Sequence, residues 1–310
     1  MLDAAQTGLL PAQQVVRTTP LTSAANGLQY ASYGYTEVSS ESLRQIVEAV
    51  PPSVAATLAG HAYYFVPLAL GETEETEIAS GFTMDLGDRA TCHRNLLWNG
   101  VEYTFLSARL MQDRFALAFE FFINIGHQAV DAAGVPPRFQ ELAWAQARAN
   151  VRGETSQDAY EARLRAIEGP AGIQPAPSSR DDSRDTPRDH VADGSRDESR
   201  DQARDHSRDQ GRSNGLMLAA SATLLGDKPA LDTHAARDQR AGTVFFEAAF
   251  ADTLAIYMLS LAMDLDYADL REREYPLLAA PALADRLRLA AELFPPASGY
   301  EFAIRYRRRH

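Results

Sequence analysis

"TCHRNLLWNGVEYTFLSARLM", residues 91 to 111, decides the fold. Aromatic and branched residues alternate with polar ones on both sides of Asn99-Gly100, and Asn-Gly between such runs is a strong sign of a two-residue hairpin turn. The stretch predicts an antiparallel hairpin turning at 98–100. Upstream, "HAYYFVPLAL" (61–70) and "TEIASGFTMDL" (76–86) share its strand-like character, whereas from 113 onward the apolar period becomes helical. Antiparallel strands followed by a mostly helical C-terminal half describe an α+β fold.

The other elements follow from their start and stop signals. "SSESLRQIVEAV" (39–50) is a serine-capped helix halted by Pro51-Pro52, with a short helix expected at 53–59. Further helices are expected at 113–133, after Pro136-Pro137, in "SQDAYEARLRAIEG" (156–169), at 216–225, at 242–263 and in "APALADRLRLAAELF" (280–294). The closing "YEFAIRY" (300–306) alternates and is expected to return to the sheet as a strand. Residues 1–27 lack periodicity and read as a loosely ordered arm, leaving 28–177 and 216–310 as one globular domain.

Between these two parts lies 178–215, where an arginine recurs every fourth residue from Arg180 to Arg212, missing only at Ala192, usually with an aspartate behind it. Almost nothing there is apolar, and Pro187, Gly194 and Gly211 oppose a helix, so the insert reads as disordered. It is either a tether for a partner or an expanded short repeat tolerated in a loop. Its acids outnumber its arginines, so it has no basic excess for holding phosphates.

Charge and cysteine content narrow the class. A formal net charge of −12 over 310 residues repels nucleic acid and anionic membrane surfaces. The single cysteine, Cys92, permits no intramolecular disulfide and no zinc site built on several thiolates, which fits a reducing compartment. The N-terminus shows no basic region followed by an apolar run, so a cytoplasmic protein is expected. "VFFEAAFADTLAIYMLSLAM" (244–263) is long enough to span a bilayer, but Glu247 and Asp252 would each cost roughly 2.5–3.5 kcal/mol at its centre. A buried core helix is the expectation.

Two helices carry the candidate chemistry. On 113–133, Asp113, Glu120, Asn124, His127, Gln128 and Asp131 share a sector of about 100°. Such a stripe either faces water or forms a site. On 242–263, Glu247 and Asp252 each share a face with apolar residues, and buried carboxylates persist only when paired, hydrogen-bonded or metal-bound. His127 is the economical partner, with Arg114 and His234 as alternatives. The expectation is a polar pocket between the two helices, with Glu120, Asn124, His127 and Asp252 binding a ligand and His127 and Glu247 holding a divalent metal such as zinc.

"INIGH" (123–127), on a helix after a sheet, resembles the HExxH helix of gluzincin metallopeptidases, and "FEAAFADTLA" (246–255) resembles the later helix that supplies their glutamate ligand. The resemblance implies His127 and Glu247 as metal ligands. Ile123 replaces the first histidine, Asn124 replaces the general-base glutamate, and Asp252 lies one residue further from Glu247 than in the motif. It therefore implies a degenerate scaffold without peptidase activity. Cys92 and His93, as strand neighbours, point to opposite faces and form no dyad, while His61 and His93 are possible extra ligands. No phosphate-binding glycine loop, nucleophile elbow or intact HExxH is present. Three functions stay open: a metal- or small-ligand-binding pocket, a non-catalytic interaction module whose helix acids are structural, and a metal-dependent hydrolase.

Overall fold

The computed structural model describes residues 8–71, 75–111, 113–168, 231–264 and 276–304, with backbone alone for 168 and 231–239. The repeat insert at 178–215, the helix expected at 216–225, His234 and the extreme N-terminus lie outside the residues whose side chains are described.

The Asn99-Gly100 turn forms as the sequence predicts. Both residues have positive φ, 53° and 76°, the type I′ geometry that matches strand twist. It joins β8 (His93–Trp98) to β9 (Val101–Ser107) in an antiparallel ladder with Trp98 opposite Val101. This hairpin is one edge of a five-stranded sheet in the order β2 (Thr22–Ser23), β3 (Gln29–Ser32), β4 (His61–Val66), β9, β8. The sheet is mixed, because β3 runs parallel to β4 and β4 parallel to β9. Parallel pairing needs a long crossover. The first is supplied by α2 (Ser40–Glu48), capped by the Ser39 hydroxyl, and α3 (Pro52–Thr57).

Pro67 interrupts "HAYYFVPLAL", and the chain moves to a second, antiparallel sheet ordered β1 (Leu9–Pro11), β6 (Glu77–Ala79), β5 (Leu68–Leu70), β7 (Ala90–Thr91). Ser107 ties the two sheets: its hydroxyl accepts from the Ala69 amide at 2.8 Å and donates to the Thr91 carbonyl. Residues 8–27 correct the expectation of a loose arm. They contribute β1, β2 and α1 (Ala12–Thr18), whose Val15 is fully buried against Ala62, Tyr64 and Phe105. "SGFTMDL" also departs from the strand pattern, with a one-turn helix α4 (Met84–Gly87) capped by Thr83.

Alternation on β4 separates two cores. Tyr64 and Val66 pack with α1, while Tyr63 and Phe65 face α5 (Arg114–Ala133), with the Phe121 ring 5.2 Å from Tyr63 and 5.6 Å from Phe65. Asp113 caps α5 by accepting from the Ala116 amide at 2.9 Å. Then follow α6 (Pro137–Arg148), α7 (Gln157–Glu168), α8 (Leu231–Ala262) and α9 (Ala280–Leu293). The segment Arg240–Ala262 is long and apolar enough to cross a membrane, but 72% of its apolar window is buried in the protein, as expected of a core helix. The expected closing strand, at 300–306, does not form over its described residues, 300–304. Residues 300–304 are irregular; Phe302 meets the Tyr257 ring at 5.3 Å and the Tyr300 hydroxyl donates to the Gln45 carbonyl.

A buried ion cluster locks α9 in place. Arg286, with no exposure, grips Glu154 through two nitrogens at 2.7 and 3.1 Å and donates to Gln146 Oε1 at 2.8 Å. Arg163 adds a second cation 3.5 Å from Glu154 and donates to the Gly153 carbonyl at 2.8 Å. Gly153 has φ 78°, and a Cβ there would sit 2.1 Å from the Leu277 carbonyl oxygen, so only glycine lets the two backbones meet.

Candidate functional site

The two candidate helices do pack together. At their crossing Gly126 is so close to α8 that a Cβ would lie 2.5 Å from the Ala251 carbonyl oxygen. Of the expected pocket of Glu120, Asn124, His127, Glu247 and Asp252, the structure brings His127 close enough to Asp252 to act on its charge and places Glu120 with Asn124, and Glu247, in two other environments, making three.

The first is the seam between α5 and the sheet. Glu120 Oε1 is 2.6 Å from His93 Nδ1, and Asn124 donates to the Glu120 carbonyl at 2.9 Å. One turn on, buried Gln128 accepts from the Tyr63 hydroxyl at 2.6 Å and donates to Thr104 at 2.9 Å. Glu120 and Gln128 of the polar stripe thus satisfy the sheet rather than meeting water and Asn124 bonds back to its own helix, while His127 and Asp131 stay exposed. His93 does reach the helix, at Glu120. Burial, with Glu120 nearby, pushes the Cys92 thiol pKa up, which leaves it a poor nucleophile.

The second environment is Asp252, a buried carboxylate as expected. Its Oδ2 accepts from the Thr155 hydroxyl at 3.0 Å. Burial raises its pKa to about 6, against the opposing pull of the Ser156 hydroxyl, exposed His127 and Thr155, and with a further push upward from Asp158. The hydroxyls at 155 and 156 escaped the sequence reading, although a serine three residues before Ala159 is a helix-start signal; Ser156 does accept from the Ala159 amide at 3.1 Å.

Because the folded-state pKa lies above the unfolded value, near 3.9, the native state binds the extra proton between about pH 4 and 6. Stability conferred by that proton is complete below pH 4 and lost as pH rises through 6. Asp252→Asn is therefore expected to be more stable than the parent at pH 7, by on the order of 1–2 kcal/mol, and equal to it at pH 4. Urea denaturation at the two pH values measures this; an equal difference at both would exclude Asp252 as the titrating group.

The third is Glu247. It is exposed and lines a cavity of about 560 Å³ with Val135, Gln140, Trp144 and Phe246, a set that does not include His127. No ion pair or hydrogen bond joins Glu247 to His127, and among the described residues no three His, Cys, Asp or Glu side chains converge as metal ligands. The donor set does not fit a zinc centre. His61, the other candidate ligand, lies 3.3 Å from Glu102.

Comparison with protein-family models, with curated proteins and with solved structures returns no match to any of them.

What the geometry leaves open is an edge. In a two-residue hairpin the flanking pair, Trp98 and Val101, exchanges the backbone bonds, and by alternation so do Leu96 and Arg94 with their partners. The N–H and C=O groups of His93, Asn95 and Leu97 point outward. The Thr91 hydroxyl takes the His93 carbonyl at 3.1 Å, while among the described residues no strand pairs with the outer side of β8.

Proposed function

We propose that the chain is a non-catalytic, cytoplasmic protein-interaction module that takes up an extended peptide segment as an added strand along β8. The outer edge of β8, with which no strand among the described residues pairs, carries this reading. Natural sheets blunt an exposed edge with lysine, proline, a bulge or extreme shortness. β8 runs six residues in unbroken register, has no lysine or proline, and exposes Leu97 at 74%. Strand addition supplies main-chain hydrogen bonds to such an edge, and alternate side chains supply selectivity. Glu120, Asn124 and Gln128 of α5 and Asp252 of α8 then have a structural role, bonding to helix, sheet or loop, and Asn124, hydrogen-bonded to Glu120, offers no general base.

The test is selection of binders from a library of extended dodecapeptides, followed by amide hydrogen exchange of the complex. Binders should slow exchange at Asn95 and Leu97. Leu97→Pro removes an outward N–H without breaking a ladder bond and should abolish capture while leaving the melting temperature within a few degrees. Protection mapped to another surface, or undiminished capture by the proline variant, would overturn the reading.

A further inference from the structure

The face of β8 that carries Arg94, Leu96 and Trp98 packs on the α1 side of the sheet, where Leu96 and Trp98 join Val16 around the second core. Its two ends are cationic. At one end, Arg94 lies against Gly71 so closely that a Cβ on the glycine would be 2.6 Å from the guanidinium carbon, and its Nε is buried with no hydrogen-bond partner among the described residues. At the other, exposed Arg17 from the last turn of α1 sits over the Trp98 ring, 5.1 Å from its centroid. Neither arginine has a carboxylate partner among the described residues, a state they share with Arg114, which bonds to Gln45, and Arg148, which lies over the Trp144 ring. On a protein with 42 acidic residues, one arginine on the edge strand and one on the helix beside it, neither with a carboxylate among the described residues, are a local reversal of sign.

Resting on the strand-addition reading, we infer that β8 selects an acidic peptide with the pattern carboxylate, any residue, apolar, any residue, carboxylate. Side chains two apart on an added strand share a face. An apolar residue opposite Leu96 would therefore be flanked at both sides by residues facing Arg94 and the Arg17–Trp98 pair, which are four positions, or roughly 13 Å, apart along the sheet. The pattern is the same read in either direction, so parallel and antiparallel addition satisfy it equally. Charge-assisted bonds to guanidinium at a partly desolvated edge make the contact selective, while the protein's overall negative field keeps long polyanions away.

Fluorescence anisotropy of the full chain with labelled, end-blocked heptapeptides TETVTET and TQTVTQT tests this. The glutamate peptide should bind at least roughly tenfold tighter, with the difference shrinking as salt is raised. Arg94→Gln and Arg17→Gln should each reduce that preference and together remove it, with thermal melts confirming that both fold. A TETVTET peptide N-methylated at alternate residues should lose binding through the same edge. Equal binding of the glutamate and glutamine peptides, both abolished by N-methylation, would overturn the charge selection and leave strand addition standing. No binding of either heptapeptide, together with library binders that leave the β8 amides unprotected, would remove both.

Discussion

Glu154→Ala should cost the folded state about 3–5 kcal/mol, enough to leave much of the chain unfolded at moderate temperature. The carboxylate is completely buried, neutralises Arg286 through a two-pronged contact and also faces Arg163. Removing it leaves two guanidinium groups in the interior with no anion between them, and an uncompensated buried charge costs more than the missing hydrogen bonds themselves. The reciprocal Arg286→Ala should be somewhat milder, because Arg163 remains to face Glu154. Urea unfolding of the two single variants and the double variant would measure the coupling. The destabilisation of the double variant should be well short of the sum of the two single effects, and simple additivity would mean that the pair does not interact.

Gly126→Ala is expected to destabilise by about 1–3 kcal/mol although alanine is the better helix former. A mid-helix glycine ordinarily yields a gain of roughly 0.5–1 kcal/mol on such a change. Here the new methyl would meet the Ala251 carbonyl oxygen at 2.5 Å and its carbonyl carbon at 3.1 Å, backbone atoms in the middle of a buried helix that cannot swing aside. Gly242→Ala in α8 is the control, since its nearest neighbour is the Phe246 ring at 3.9 Å and the ordinary gain should appear. If both substitutions stabilised in thermal melts, the helices would not be in contact at Gly126.

The fold was largely legible because its signals are local. Asn99-Gly100, the Ser39 cap, Asp113 before α5 and Pro137 opening α6 each act on their own neighbours, and all appear where the sequence put them. What was not legible depends on distant partners. The parallel pairing of β3 with β4 escaped notice because Gln29–Ser32 is only four residues long and shows no alternation that separates it from a loop. Glu247 and Asp252 look alike in sequence, both surrounded by apolar residues. Yet α8 is covered on all sides only around 249–259, so Asp252 is buried and Glu247 is not. Periodicity gives the face of a helix and is silent on how far along its axis the cover extends. Asp252 found its partners in two hydroxyls at a helix start, residues too common to draw attention, and Glu154 and Arg286 lie in segments with no shared motif.

The pair that locks α9 also sets an order of events during synthesis. Glu154 and Arg286 are 132 residues apart, whereas the two sheets join segments that all lie between residues 9 and 107. A ribosome therefore delivers every strand well before the last helix, and the strands can pair while the C-terminal third is still being made. Until residue 286 has emerged, Arg163 is the one cation facing Glu154 among the described residues. A chain cut short before α9 is therefore expected to leave uncovered the hydrophobic flank that α9 buries, a natural target for chaperones and proteases.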